Sequence, residues 1–289
     1  MFNLNIIGCG NVAKTIAFLW RQSNSIQIVD VINRSQISAN NSVEFIGAGK
    51  PLDSIEALRP ADIFVIACGD DDIEHCLDKL LEQNIIQKNN IVFHFSGAKS
   101  SSVLEKAKDQ GALCASLHPV KSFANPANAV TTFKGTYCAL EGNEVACDIL
   151  EKLVNSIGGD CFKVESNKKQ IYHSASVFAS NYLVALQELS LRAFAESGVD
   201  RKLAMKILEP IVKETSNNVF EVGLAKALTG PIARGDHKLI ENQIQAIEDW
   251  DADSAELYRL LGKLSVDLSD EKGSAEKTDL LAIKELFSR

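Results

Sequence analysis

The run Leu4-Asn5-Ile6-Ile7-Gly8-Cys9-Gly10-Asn11-Val12-Ala13 decides how the chain is read. Residues 4–7 are a short apolar stretch of strand type, and from residue 11 to about Arg21 apolar side chains recur at three- and four-residue spacing, as in an amphipathic helix. In a strand that turns straight into a helix, Gly8 permits the tight bend and Gly10 lets the backbone approach a pyrophosphate. Cys9, Asn11 and Val12 complete the loop, and Ala13 allows close helix–strand packing. The unpaired amides and dipole of the helix N-terminus favour an anion there. With a second strand pattern at 26–32, the stretch reads as a dinucleotide site.

Twenty residues past Ala13, where an NAD site usually carries a carboxylate for the ribose hydroxyls, the chain has Asn33-Arg34-Ser35. A guanidinium grips a 2′-phosphate bidentately and a serine hydroxyl donates to it, so the trio points to NADP. Two other readings stay open: Arg34 as a merely solvated side chain, and Asp30 as the ribose acid if its strand ends early. Further on, Cys68-Gly69-Asp70-Asp71-Asp72 closes another strand at the same ligand edge. Cys68, Gly69 and Asp70 can flank the ribose, while capping of the next helix is the commoner use of such aspartates, Asp72 above all. His75, on that helix, is expected to be exposed.

Outward from this loop, strand patterns at 4–7, 26–32, 63–68, 91–95, 113–117, 136–140 and 161–164 alternate with helical ones. Continuous rather than alternating apolarity suits a parallel sheet covered on both faces. After Ser166 strand signals stop, and 171–196, 201–222 and 237–268 read as helices, with Pro210 kinking or dividing one and Gly230-Pro231 interrupting before another. The expected organisation is an α/β domain over 1–165 and an all-α domain over 166–289.

At 289 residues the chain is long enough for two cores. A net charge of −8 speaks against nucleic-acid or anionic-membrane partners and for a small-molecule substrate. The seven cysteines are scattered and never spaced C-x-x-C, which fits a reducing compartment, and neither they nor the five histidines cluster as a zinc site would require. The N-terminus lacks a basic segment followed by a long apolar run, and no apolar stretch of about 18 residues occurs. A mature protein starting at Met1 and working in the cytoplasm is expected.

Chemistry is sought at the ends of later strands. Hydride transfer at a carbon bearing oxygen or nitrogen needs a group to handle the accompanying proton, and His118, ahead of Pro119, is the first candidate. Ser96, in Ser96-Gly97-Ala98, can share a hydrogen bond with the substrate oxygen; alternatively Ser96 only starts a helix and His118 only ties down a loop. His94, inside an apolar strand, reads as a packing residue. On the first helix past 166, His173, Ser176 and Ser180 share a face bordered by Asn181, either facing a cleft or bonding to neighbouring helices. In Leu228-Thr229-Gly230-Pro231-Ile232-Ala233-Arg234-Gly235-Asp236, Arg234 can clamp an anionic substrate group and Asp236 can orient it or cap the next helix, or the whole is an ordinary turn.

These motifs, with His94-Phe95-Ser96-Gly97-Ala98, Leu117-His118-Pro119 to Phe123 and Tyr172-His173 to Asn181-Tyr182, resemble the Rossmann-like NADP oxidoreductase family whose C-terminal helical domain is of unknown function. More distantly the chain is similar to pyrroline-5-carboxylate reductases, 6-phosphogluconate dehydrogenases and prephenate dehydrogenases. The resemblance implies a Rossmann domain, a helical domain like the C-terminal one of 6-phosphogluconate dehydrogenase, and a homodimer made through it. In prephenate dehydrogenases a serine and a His-Pro histidine contact the substrate, and Ser96 and His118 match them. The lysine–asparagine helix motif of hydroxyacid dehydrogenases is not matched, since Lys169 is misplaced relative to Asn181.

The reading that follows is an NADP-dependent oxidoreductase acting on a small anionic metabolite held between the domains. His118 would be proton donor or acceptor, Ser96 its assistant, Arg234 the anchor, and His173 and Asn181 would line the pocket. The rivals are a non-catalytic dinucleotide sensor that binds a partner through its helices, and an imine reductase.

Overall fold

The computed structural model describes residues 1–288. It divides into two compact units, Met1–Tyr182 and the chain from Leu183 onward. The expected boundary at residue 165 lies upstream of that division, so the helix that follows it belongs with the sheet.

The first unit contains β1 (Phe2–Ile7), α1 (Asn11–Gln22), β2 (Ile26–Ile32), α2 (Gln36–Ile46), β3 (Lys50–Leu52), β4 (Ile63–Ile66), α3 (Ile73–Glu82), β5 (Ile91–His94), α4 (Glu105–Lys108), β6 (Leu113–Pro119), α5 (Pro126–Thr131), β7 (Tyr137–Gly142), α6 (Glu144–Asn155), β8 (Asp160–Lys163) and α7 (Lys169–Ala179). The strands form one sheet in the order β3-β2-β1-β4-β5-β6-β7-β8. Every residue of β4 and β5 is buried, because helices cover both faces. Successive side chains point to opposite faces. Ile6 therefore joins a core with Trp20, Phe93 and Leu150, whereas Ile7 joins the other with Phe64, Leu77 and Leu104. The Trp20 indole donates to the Leu153 carbonyl at 2.9 Å and ties α1 to α6.

Two details of the sheet differ from expectation. β3 was not anticipated, being three residues long and containing Pro51, which only an edge strand tolerates. The sheet is not wholly parallel: β7 runs antiparallel to β6. The intervening helix α5 has six residues and rises about 9 Å. It cannot carry the chain back along a strand of about 23 Å, so β7 starts at the end where β6 stops.

The helical unit comprises α8 (Asn181–Glu196), which begins at the division, then α9 (Arg201–Val222), α10 (Leu224–Ala227), α11 (Pro231–Arg234), α12 (His237–Trp250), α13 (Ala252–Lys272) and α14 (Lys277–Leu286). Its main core gathers Ile240, Ile244, Val266, Leu280, Ile283 and Phe287. The expected helix over 171–196 is broken at Ser180, and that over 237–268 at Asp251, whose carboxylate caps α13 by accepting from the Asp253 and Ser254 amides. Pro210 does not divide α9: it is exposed, and a 22-residue helix absorbs the loss of one backbone hydrogen bond. No described helix is long and apolar enough to cross a membrane.

Candidate active site

β2 lies on one side of β1 and β4 on the other, so the loops leaving their carboxyl ends diverge and open a crevice. The crevice is a cavity of about 800 Å³. Of the residues expected at the cofactor, Gly8, Cys9, Gly10, Asn33, Arg34, Cys68 and Gly69 line it. Gly8 has φ +79°, and a Cβ there would sit 2.6 Å from the Cys68 amide nitrogen. Nothing lies within 4 Å of the Cβ that Gly10 lacks, and no side chain caps α1, so the first amides of that helix are open to an anion.

The neighbouring side chains frame this loop. Cys9 donates its amide to the Asn33 side-chain oxygen, and the Asn33 amide group donates to the Ser38 carbonyl and the Ser42 hydroxyl, at 3.0 and 2.9 Å. Asn33 is thus a brace between the glycine loop and α2. Ser35 caps α2, accepting from the Ser38 amide at 3.3 Å. Asn11 donates to the Phe123 carbonyl at 2.8 Å, and Val12 and Ala13 pack into the core. Arg34 is exposed and makes no hydrogen bond or ion pair among the described residues.

Asp30 is not available as a ribose acid. β2 continues past it to Ile32, and its carboxylate is fully buried, holding the Arg59 guanidinium at 2.6 Å and accepting the Arg59 amide at 3.0 Å. Asp72 also departs from expectation. It accepts no bond at the start of α3 and instead lines the cavity, with Asp53, Glu56, Lys79 and the exposed His75.

Next to cavity-lining Gly69, the Asp70 carboxylate accepts the Ser96 hydroxyl at 2.7 Å. That hydroxyl in turn accepts the Ala98 and Lys99 amides at 3.2 and 2.9 Å, which fills its hydrogen-bonding capacity. Beyond it stands a cluster outside the cavity lining. The Tyr172 hydroxyl and His118 Nδ1 share a hydrogen bond of 2.8 Å, and the His118 ring packs edge-on against Tyr172 and His173, with centroids 5.7 and 5.5 Å apart. Gly97 wedges between the imidazoles. A Cβ on it would run into His173 Nδ1 and come within 2.8 Å of His118 Nε2. His173 Nδ1 is buried without a partner.

Beneath the cluster lies a lysine whose place was not anticipated. Lys169, 2% exposed, donates from Nζ to the Ser96 carbonyl at 2.8 Å and to the Ser116 hydroxyl, with Glu141 at 4.0 Å. Glu141 accepts the Ser101 amide at 2.6 Å and the Ser101 and Ser166 hydroxyls. Burial lowers Lys169 to about 8, against the pull of Glu141 and Asp70. Burial, then the charges of Lys169 and His173, lower His118 to about 4. Burial raises Tyr172 to about 12, so its phenol keeps its proton at neutral pH. His94 has the packing environment expected of it: fully buried, with Nδ1 accepting the Ser96 amide, and lowered to about 4 by burial and then Lys169. The one sequence sign of Lys169 was its four-residue spacing from His173, which puts both on one face of α7.

The remaining expected site residues are Asn181 and Arg234. The break at Ser180 cuts the polar stripe of α7, and Asn181 is the exposed first residue of α8. Arg234 belongs to the helical unit, exposed and without an ion pair among the described residues, and Asp236 caps α12 through the Leu239 amide at 3.3 Å. Among the described residues no three His, Cys, Asp or Glu side chains are grouped to hold a metal.

Residues 1–119 match the family model of a Rossmann-like domain, and residues 136–265 match that of a domain of unknown function, DUF2520. A protein of known structure from Thermotoga maritima is 27% identical, with a TM-score of 0.75 over 93% of this chain and 99% of its own. An NADP oxidoreductase candidate from Bacteroides fragilis gives 0.71 at 20% identity, over 93% and 98%. Pyrroline carboxylate reductase from Plasmodium falciparum, solved with NADP bound, gives 0.57 at 14% identity, over 99% and 98%. At the last two identities the likeness is one of fold. No curated protein sequence matches the chain.

Proposed function

The chain belongs to the proteins that join a Rossmann-like domain to a DUF2520 domain, and from that premise we propose that it is an NADP-dependent oxidoreductase acting on a small anionic metabolite. The observation that carries the proposal is the cavity itself: a glycine loop that leaves the α1 amides free, beside an unpaired Arg34 and away from an Asp30 already neutralised by Arg59. The backbone from Gly8 to Gly10 would hold the pyrophosphate, and Arg34 the 2′-phosphate. A nicotinamide held there would supply or take up the hydride.

Proton handling falls to His118. Lowered to about 4, its imidazole is neutral at pH 7, and the Lys169 charge opposes formation of an imidazolium. The Tyr172 hydroxyl can accept or donate at Nδ1. When Nδ1–H donates to the tyrosine oxygen, Nε2 presents a lone pair that can accept a hydrogen bond from a substrate hydroxyl or amine. When the tyrosine donates instead, Nε2–H can donate a hydrogen bond to a carbonyl or imine. Ser96, its hydroxyl engaged by Asp70, acts as a positioning residue for the Gly97 turn. His173 would border the same pocket.

His118→Ala should lower kcat by about 10²–10⁴-fold with cofactor affinity unchanged. A variant with full turnover would remove His118 from the mechanism, and a wild type that binds NADP but turns over no substrate in a broad screen would favour a sensor. The helical unit is proposed to pair with a second copy of the chain, because Phe220, Leu224 and Leu264 leave large apolar side chains exposed. Sedimentation equilibrium measures that association directly.

A further inference from the structure

Cys68, in the loop after β4, and Cys76, in α3, both line the dinucleotide cavity, and both are half-buried free thiols. Of the other five cysteines, Cys9, Cys114, Cys138 and Cys147 are buried, and Cys161 is half-buried on β8, outside the cavity. Seven residues separate the pair, a spacing that does not announce a redox motif in the sequence. The turn at 70–72 and the start of α3 nevertheless return the chain to the same wall, so that both residues line the cavity.

We propose that Cys68 and Cys76 form an oxidant-sensitive thiol pair that closes to a disulfide in the cavity wall, and that a bound dinucleotide shields it. The first half stands on the thiols alone; the shielding rests on the proposed cofactor.

Both thiols line the same cavity wall, and each shifts the ionisation of the other. Cys68 draws the Cys76 thiol down to about 7, with burial and Asp72 opposing and Lys79 assisting, while Cys68 itself is pushed up, first by Cys76 and then by burial. This division of character suits an attacking and a resolving cysteine. Burial instead raises Cys161, to about 12. A thiol drawn down in this way carries more of the reactive thiolate at neutral pH than an ordinary one.

With a peroxide as oxidant, the Cys76 thiolate attacks one peroxide oxygen. An S–O bond forms, the O–O bond breaks, and the departing hydroxide is protonated to water, leaving a sulfenic acid. Cys68 then loses its proton and attacks that sulfur. The S–S bond forms, the S–O bond breaks, and a second water leaves. The two thiols give up two electrons and the peroxide takes them; a small dithiol reverses the closure.

The test treats the full-length protein at pH 7 with limiting hydrogen peroxide, alkylates the remaining thiols, and maps peptides by mass spectrometry. The expected result is the loss of two thiols, a cross-linked peptide joining Cys68 to Cys76, recovery with dithiothreitol, and a rate at least about tenfold above that of Cys161. In Cys68→Ser, dimedone should trap Cys76 as its sulfenic acid without a cross-link; in Cys76→Ser, Cys68 should stay reduced. Oxidation of Cys76 without the cross-link in the wild type, or earlier oxidation of another cysteine, overturns the pair. Saturating NADP⁺ should slow the cross-link about tenfold. If NADP⁺ binds and the rate is unchanged, shielding is overturned. If NADP⁺ does not bind at all, the cofactor reading fails while the disulfide result still decides the thiol pair.

Discussion

The dinucleotide cavity and the histidine cluster are held by opposite means. The cavity is open space of about 800 Å³ framed largely by backbone, where Gly8 and Gly10 keep side chains out and the Arg34 guanidinium at its rim faces solvent. The cluster is filled: Lys169 and Glu141 are both buried, and their hydrogen bonds reach Ser96, Ser101, Ser116 and Ser166. A framed void is vulnerable to added atoms, whereas a filled polar core is vulnerable to lost charge. The proposed binding and proton-transfer sites therefore rest on different physical supports within one sheet.

The sharpest way to break that contrast is Lys169→Met, which leaves the Glu141 carboxylate buried without its cation. A loss of about 3–5 kcal/mol in urea unfolding is expected, with recovery when Glu141→Gln is added. A change of less than about 1 kcal/mol would mean that the cluster is as solvated as the cavity rim.

Next in size is the acid response. His94 is lowered from an ordinary value of 6.5 to about 4. Below pH 6.5 the unfolded chain takes up a proton that the folded chain refuses until about pH 4, so stability falls as pH drops through that window. The shift amounts to about 3 kcal/mol for His94, and His118 titrates over the same range. Urea midpoints measured from pH 7 to 4 should show this slope, and His94→Gln should flatten it. An unchanged slope in the variant would place the acid sensitivity elsewhere.

A smaller effect sharpens the cavity side. Gly8→Ala puts an L side chain at φ +79° against the Cys68 backbone. It should cost about 1–2 kcal/mol of stability for the left-handed conformation, and more for the contact, and should weaken NADP binding beyond what calorimetry detects. Retained binding would show that the loop has room that the account denies it.

What could be read in advance follows the same division. The glycine loop, the buried strands and the succession of helices are local patterns, and each was legible from a window of a few residues. Three features depended on distance in sequence instead. Asp30 meets Arg59 across 29 residues, Lys169 meets Ser96 across 73, and Glu141 meets Ser101 across 40. No periodicity or spacing signals such pairs, so Asp30 stayed a candidate ribose acid and Lys169 was passed over. Asn33 illustrates the intermediate case. It was read as part of a phosphate-selective trio, and it lines the cavity just past the end of β2, but its amide is engaged with Cys9, Ser38 and Ser42, none of which its immediate neighbours reveal. The direction of β7 depended on the length of α5, and the six residues from Pro126 to Thr131 carry too weak a helical pattern to expose that turn.

The most direct measurement of the central claim is a fluorescence titration of NADPH and NADH against the wild type and Arg34→Ala. Tight NADPH binding and weaker NADH binding are expected, with an NADPH affinity in the variant that falls by about tenfold or more towards the NADH value, as for the loss of a charge-assisted contact to phosphate. If neither dinucleotide binds the wild type, the glycine loop is a structural turn and the proposed function is wrong.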